Sequence, residues 1–188
     1  SYEANHAMHD CDVMICLGAR FDDRVTGAVD KFSPNSKKIH LDIDASQINK
    51  NVRVDLPIVA DAAHALKEML HFWKTQRRKV DAPALKEWWR EIERWREKKS
   101  LAFKNSATII KPQHAIDRLY ALTRGKDVYI TTEVGQHQMW AAQRFKFEEP
   151  NRWMTSGGLG TMGYGLPAAV GVQMAHPDSL VIDIAGEA

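Results

Sequence analysis

Cysteine is scarce in this 188-residue chain: Cys11 and Cys16 are its two. They share one apolar, strand-like segment. Five residues along a strand separates them by about 16 Å on opposite faces, beyond disulfide reach. Free thiols of this kind suit a reducing compartment, and a cytoplasmic location is expected. Apolar runs are short as well. None reaches the ~18–20 residues that cross a bilayer, so no membrane partner is expected. The opening Ser1–His6 (SYEANH) lacks a basic start and an apolar core, and is not expected to be a signal peptide. Apart from His137, the histidines do not pair at metal-ligand spacing, and there is no Cys–His array. Internal repeats and low-complexity tracts are missing too.

Net charge is small, +2, but unevenly placed. Residues 74–104 hold 11 Lys/Arg against 5 Asp/Glu. Acidic residues interleave with basic ones there at helical spacing, as in Arg90/Glu93 and Glu93/Arg96. The tryptophans are expected on the buried stripe. A solvated amphipathic helix is therefore expected, and no nucleic-acid partner.

Glycine is plentiful in one place. Five glycines fall between Gly157 and Gly165, where they let backbone approach a ligand and permit positive φ. The next segment reads as a helix, whose N-terminus would attract an anion held by the glycines. Gly158-x-Gly160-x-x-Gly163 matches the dinucleotide fingerprint, with Asp183 twenty residues further on. The strand before it is short and charged, and Met162 and Tyr164 are bulky for that turn. A nicotinamide site is not expected.

Strands are expected at 12–18, 38–44, 57–61, 127–131, near Trp153 and at 180–188. Helices are expected from Asp61 to about Arg77, Pro83 to about Phe103, from Pro112, around Gln138–Phe145, and from the glycine run to about Ala175. The helix after Asp61 would bury Ala65, Leu66, Met69, Leu70 and Trp73. Alternation of strands and helices predicts an α/β fold with parallel sheets flanked by helices. The expected blocks are 1–78 and 108–188, parts of two Rossmann-like domains joined by a helical linker over 79–107. Each block is short for a doubly wound sheet, and both ends are expected to be cut.

Ligands of open α/β sheets bind at the carboxyl ends of strands. Gly18–Gly27 (GARFDDRVTG) follows the first strand, with two arginines and two aspartates that suit a phosphate and a ribose, or form a surface salt-bridge cluster. Asp42 ends the second strand as a ribose candidate or, more simply, a capping carboxylate. His137, between two glutamines after a later strand, is a better site candidate than a lone histidine usually is.

Gly18–Gly27, His40–Asp44 (HLDID), Val134–Gln143 (VGQHQMWAAQ) and Ser156–Ala169 (SGGLGTMGYGLPAA) occur in this order. Together they resemble the large catalytic subunit of acetohydroxyacid synthase (acetolactate synthase), a thiamine-diphosphate enzyme family, in bacterial wording. The resemblance covers nearly the whole chain. It implies the later part of a central FAD-binding domain (1–78), a linker (79–107) and the start of the thiamine-diphosphate domain (108–188). The family joins two 2-ketoacids with loss of carbon dioxide, at the head of valine, leucine and isoleucine synthesis. Implied cofactors are thiamine diphosphate, Mg²⁺ and FAD, the flavin without net redox chemistry. Implied partners are 2-ketoacids, further copies of the subunit and a regulatory small subunit.

Carried over residue by residue, Met162 supports thiamine diphosphate, and Gly135, Gln136, His137, Gln138 and Gly160 line its cleft. Gly18, Ala19, Arg20, Asp22, Arg24, Val25, Asp42, Ile43, Gln47 and Asp61 are implied FAD contacts, with Gln138, Met139, Ser156, Gly157 and Gly158. Gly186, Glu187 and Ala188 stand where the diphosphate motif begins. Glu187 takes the place of the family's magnesium-binding Asp, one methylene longer. The activating glutamate of the family lies outside this chain, so no catalytic residue is assigned and the 188 residues alone are expected to be inactive. Two alternatives stay open: another thiamine-diphosphate carboligase or decarboxylase, or a non-catalytic cofactor- or partner-binding module.

Overall fold

The computed structural model describes residues 1–76 and 79–186. The chain divides into two units, Ser1–Ser100 and Leu101 onward. The division falls inside the 79–107 stretch.

The first unit carries a parallel sheet in the order β1 (Val13–Leu17), β2 (Lys37–Asp42), β3 (Leu56–Val59). These short apolar runs end in Gly18, Asp42 and Asp61, all at one sheet edge. Met14, Phe21 and Val52 form the core, with Cys11, Cys16, Phe32 and Val54 packed on it. Both cysteines are free. Cys11 stands before β1 rather than in it, as the cap that ends helix α1 (Tyr2–Asp10). Burial pushes the Cys16 thiol up from its ordinary value.

Helix α1 was not expected from the sequence. It is polar on most faces, with Ser1 Oγ accepting from the Ala4 N–H as its start signal. Short helix α2 (Asp23–Thr26) follows β1. Helix α3 (Ala62–Gln76) starts at Asp61, whose Oδ1 accepts from the His64 N–H at 2.9 Å. Its expected C-terminal residue, Arg77, and the block boundary at Arg78 lie outside the described residues. The apolar stripe on α3 is less covered than expected: Ala65 is buried and Met69 half-buried, while Leu66, Leu70 and Trp73 are exposed.

Helix α4 (Ala82–Arg96) ends seven residues before the expected Phe103, and Lys99 at φ +47° turns the backbone out of helix. Its charge pairs run Glu87–Arg90, Glu91–Arg94 and Glu93–Arg96. Trp95 is buried, stacking on His6 and meeting Trp88 edge-on, whereas Trp89 is exposed.

The second unit has a parallel sheet in the order β5 (Trp153–Thr155), β4 (Val128–Thr132), β6 (Leu180–Ile184). Helices α5 (Pro112–Thr123), α6 (Gln136–Arg144) and α7 (Gly165–Ala175) flank it. The core is Ile116, Ile130 and Phe145, lined by Tyr120, Phe147 and Trp153. Arg144 ties Leu101–Phe103 to this unit. Its guanidinium donates to Asp117 at 2.8 Å and to the Leu101 carbonyl, and it lies 4.5 Å over the Phe103 ring.

Candidate functional site

The second unit's central strand supplies its organising residue. Glu133 directly follows β4 and is buried. Its carboxylate accepts from the N–H groups of Gly163 (2.6 Å), Tyr164 (3.1 Å) and Gly165 (2.6 Å). Burial pushes the Glu133 carboxyl up. The N–H groups of Gly165, Gly163, Leu166 and Tyr164 outweigh that push and hold it below the ordinary glutamate value.

This corrects the expectation that the α7 N-terminus awaits a ligand anion. The anion is the protein's own. Its signal was faint, because a glutamate thirty residues upstream reads as an ordinary polar residue at a strand end.

Gly165 is where α7 meets the sheet. A Cβ there would collide with Asp183 Oδ1 and lie 2.8 Å from the Glu133 nitrogen and 3.0 Å from the Thr132 carbonyl carbon. Asp183 accepts from the Thr131 hydroxyl at 2.8 Å. The acid of the apparent dinucleotide fingerprint is therefore committed inside the sheet.

The glycine run before α7 bends back on itself. Gly160 N–H donates to the Ser156 carbonyl, and Thr161 N–H to the Ser156 hydroxyl at 2.9 Å. Gly160 and Gly163 sit at φ +74° and +78°, backbone that side chains disfavour. Between them Met162 is 60% exposed. It joins Val134, Gly135, Gln136, His137, Trp140 and Gly186 around a cavity of about 570 Å³, which Ile116 and Ile184 also line.

His137 is wedged between two glycines. A Cβ on Gly135 or on Gly186 would come 2.9 Å from its Cε1. Its Nε2 is buried without a hydrogen-bond partner in the described structure. Gln136–Gln138 form the first turn of α6, earlier than the expected helix start. Gln138 Nε2 donates to Thr155 Oγ1 at 2.7 Å, and Thr132 Oγ1 donates to the same atom. Gly160 and Gln138 are not part of the cavity wall, whereas Gly135, Gln136, His137, Met162 and Gly186 are. Met139, Gly157 and Gly158 are exposed, and Ser156 is half-buried. Glu187 and Ala188 lie outside the described residues. Among the described residues, no group of three metal-ligating side chains converges.

In the first unit Gly18, at φ +65°, follows β1 and donates to the Leu41 carbonyl. Ala19, Arg20, Arg24 and Val25 are exposed around it. Asp22 caps α2: the Arg20 guanidinium donates to its carboxylate at 3.0 Å, and the Arg24 N–H at 3.1 Å. The Arg20 bond leads in holding Asp22 below the ordinary aspartate value. Arg24 pairs with Asp23 at 3.1 Å. Phe21 is buried at φ +50°, and Asn51 Nδ2 braces its carbonyl at 3.0 Å. Asp42 is buried at the end of β2, where Oδ1 accepts from the Asp44 N–H. Ile43 is exposed and Gln47 half-buried. Asp61 caps α3. Strand ends β1, β2 and β3 thus bring Gly18, Asp42 and Asp61 to one edge, with Arg20 and Arg24 on the loop after β1.

Residues 1–69 match the central domain of thiamine pyrophosphate enzymes, and residues 133–188 match the C-terminal TPP-binding domain of the same enzymes. The chain belongs to the thiamine pyrophosphate enzyme family. Within that family it is 46% identical over 187 residues to the acetolactate synthase isozyme 3 large subunit of Escherichia coli (strain K12), covering all of this chain and 32% of that protein. It is 48% identical to the acetolactate synthase large subunit of Buchnera aphidicola subsp. Schizaphis graminum, again over 32% of that protein. With the corresponding subunit of Cyanidium caldarium it shares 43% identity over 98% of this chain. The chain spans about a third of the length of the curated relatives it matches.

The cleft of the second unit fits thiamine diphosphate, the family's cofactor. A buried imidazole nitrogen lacks a partner, two glycines leave no Cβ beside that imidazole, and an exposed thioether lines the same cavity. No described helix is long and apolar enough to cross a membrane.

Proposed function

We propose that the chain is the cofactor-holding portion of an acetolactate synthase large subunit. The complete enzyme joins two pyruvates, or pyruvate and 2-ketobutyrate, with loss of carbon dioxide, at the start of branched-chain amino-acid synthesis in the cytoplasm. The observation that carries this reading is the convergence of Gly135, Gln136, His137, Met162 and Gly186, drawn from three separate segments, on one cavity.

Thiamine diphosphate supplies the electron sink for decarboxylation and carbon–carbon bond formation when bound. This chain's residues bind and orient. His137 and Gln136, with the backbone at Gly135 and Gly186, would hold the cofactor, and Met162 would offer it an apolar surface. Glu187 is the candidate residue that would hold Mg²⁺. Residues 1–78, 79–107 and 108–188 are assigned as FAD-binding portion, linker and thiamine-diphosphate portion.

FAD, in a non-redox role, is assigned to Gly18, Ala19, Arg20, Asp22, Arg24, Val25, Asp42, Ile43, Gln47 and Asp61 of the first unit. The space over Gly18, where a Cβ would meet no heavy atom within 4 Å, and the strand-end carboxylate of Asp42 suit a nucleotide. Partners are 2-ketoacids, further copies of the subunit and a regulatory small subunit.

Titrating the purified chain with thiamine diphosphate and Mg²⁺ while following tryptophan fluorescence tests the cleft, because Trp140 lines it. A weak, saturable quench is expected, lost in His137→Ala. No response in the wild-type chain overturns the assignment. The 188 residues alone are expected to form no acetolactate from pyruvate.

A further inference from the structure

Met162 sits in the middle of a tethered turn. On its N-terminal side, Thr161 N–H is held by Ser156 Oγ, directly after β5. On its C-terminal side, Gly163, Tyr164 and Gly165 N–H are all held by the Glu133 carboxylate, directly after β4. Two adjacent, hydrogen-bonded strand ends therefore grip the backbone on both sides of one exposed thioether. Two conditions make the second grip rigid. Glu133 is buried, so water does not compete for its oxygens. The lack of a Cβ at Gly165 lets the first turn of α7 approach to where those bonds form.

We propose that Glu133 is the positioning residue for Met162, its buried carboxylate fixing how far the thioether projects into the cleft. The role follows from geometry: charge-assisted bonds to three consecutive N–H groups leave the preceding residue little freedom to rise or sink. A neutral amide presents one acceptor oxygen where the carboxylate presents two, so it cannot serve both Gly165 and the Gly163–Tyr164 pair. The consequence for a cofactor rests on the thiamine-diphosphate reading above. The positioning itself does not.

The test labels the methionine methyl groups of the 188-residue chain with ¹³C and compares wild type, Glu133→Gln and Glu133→Asp without cofactor, with Met162→Leu assigning the resonance. In Glu133→Gln the Met162 methyl signal is expected to move toward the position of Met174, an 80%-exposed methionine on α7, while the Met174 signal stays in place. Glu133→Asp keeps the charge on a shorter arm and is expected to give an intermediate shift. If Glu133→Gln does not fold, Glu133→Asp decides. A folded variant with an unmoved Met162 signal overturns the proposal, as does a uniform shift of all the methionines.

Adding thiamine diphosphate and Mg²⁺ to wild type then separates the two readings. A perturbed Met162 signal, with affinity roughly tenfold weaker in Glu133→Gln, supports both. An unperturbed signal removes the cofactor assignment and leaves the positioning result standing.

Discussion

The strand ends of the two units are tied down over different distances. In the first unit the loop carboxylates bond close to home: Asp22 to Arg20 and Arg24, Asp44 to Ser46 and Gln47. In the second, Glu133 reaches residues 163–165, Thr131 reaches Asp183, and Thr132 and Gln138 meet at Thr155. A locally satisfied loop can rearrange around a ligand without disturbing the sheet. A site bonded across 17 to 52 residues is part of the core, and shifts when the core does. The first unit's loop also carries a long-range brace, Asn51 on the Arg20 and Phe21 carbonyls.

The sharpest break in that contrast is Gly165→Ala. The new methyl collides with Asp183 and with β4 backbone, and is expected to cost about 3 kcal/mol. Urea unfolding followed through Trp153 should show the loss in the second unit, with the first unit's transition unmoved.

Acid comes next. Because the folded-state pKa of Glu133 is depressed, its contribution is fully present above the ordinary glutamate value and disappears as pH falls through the folded one. Glu133→Gln is expected to flatten the acid limb of the second unit's stability profile. An unchanged acid limb would show that the three backbone bonds are matched in the unfolded chain.

Asn51→Ala sharpens the contrast from the other side. Losing its bonds to the strained Phe21 turn is expected to cost about 1 kcal/mol, read as a drop of a few degrees in the first unit's melting temperature. The smallest effect is expected at Arg94→Ala. Its exposed partnership with Glu91 should be worth within about 0.5 kcal/mol by thermal denaturation.

Much of the fold is legible in the chain because its strands are short apolar runs that stop at Gly18, Asp42, Asp61 and Glu133, and because Pro83 and Pro112 stand at helix starts. Helix α1 is not legible in that way. Its sequence is polar and its one clear mark, Ser1, is a capping residue without an apolar stripe behind it. The overlong α4 was an error of the opposite kind, since helical spacing continues past Arg96 in residue type but not in backbone, which Lys99 turns.

The cleft residues His137 and Met162 were readable from motif wording. Glu133 was not, because what marks it is burial and three distant N–H partners, and neither is written within its own neighbourhood. The α3 stripe reads as core and is largely exposed, since amphipathic spacing says which face is apolar and not what lies over it.

Lys38 carries a last consequence. It is buried on β2, and its amine donates to the Ser33 and Ser36 carbonyls at 2.7 and 3.2 Å. Lys37 beside it is exposed and pairs with Asp55. Amine-reactive labels will therefore take Lys37 at once and reach Lys38 only when the sheet opens. The adjacent pair is a natural clock, one hand running with solvent and the other with the breathing of the first unit.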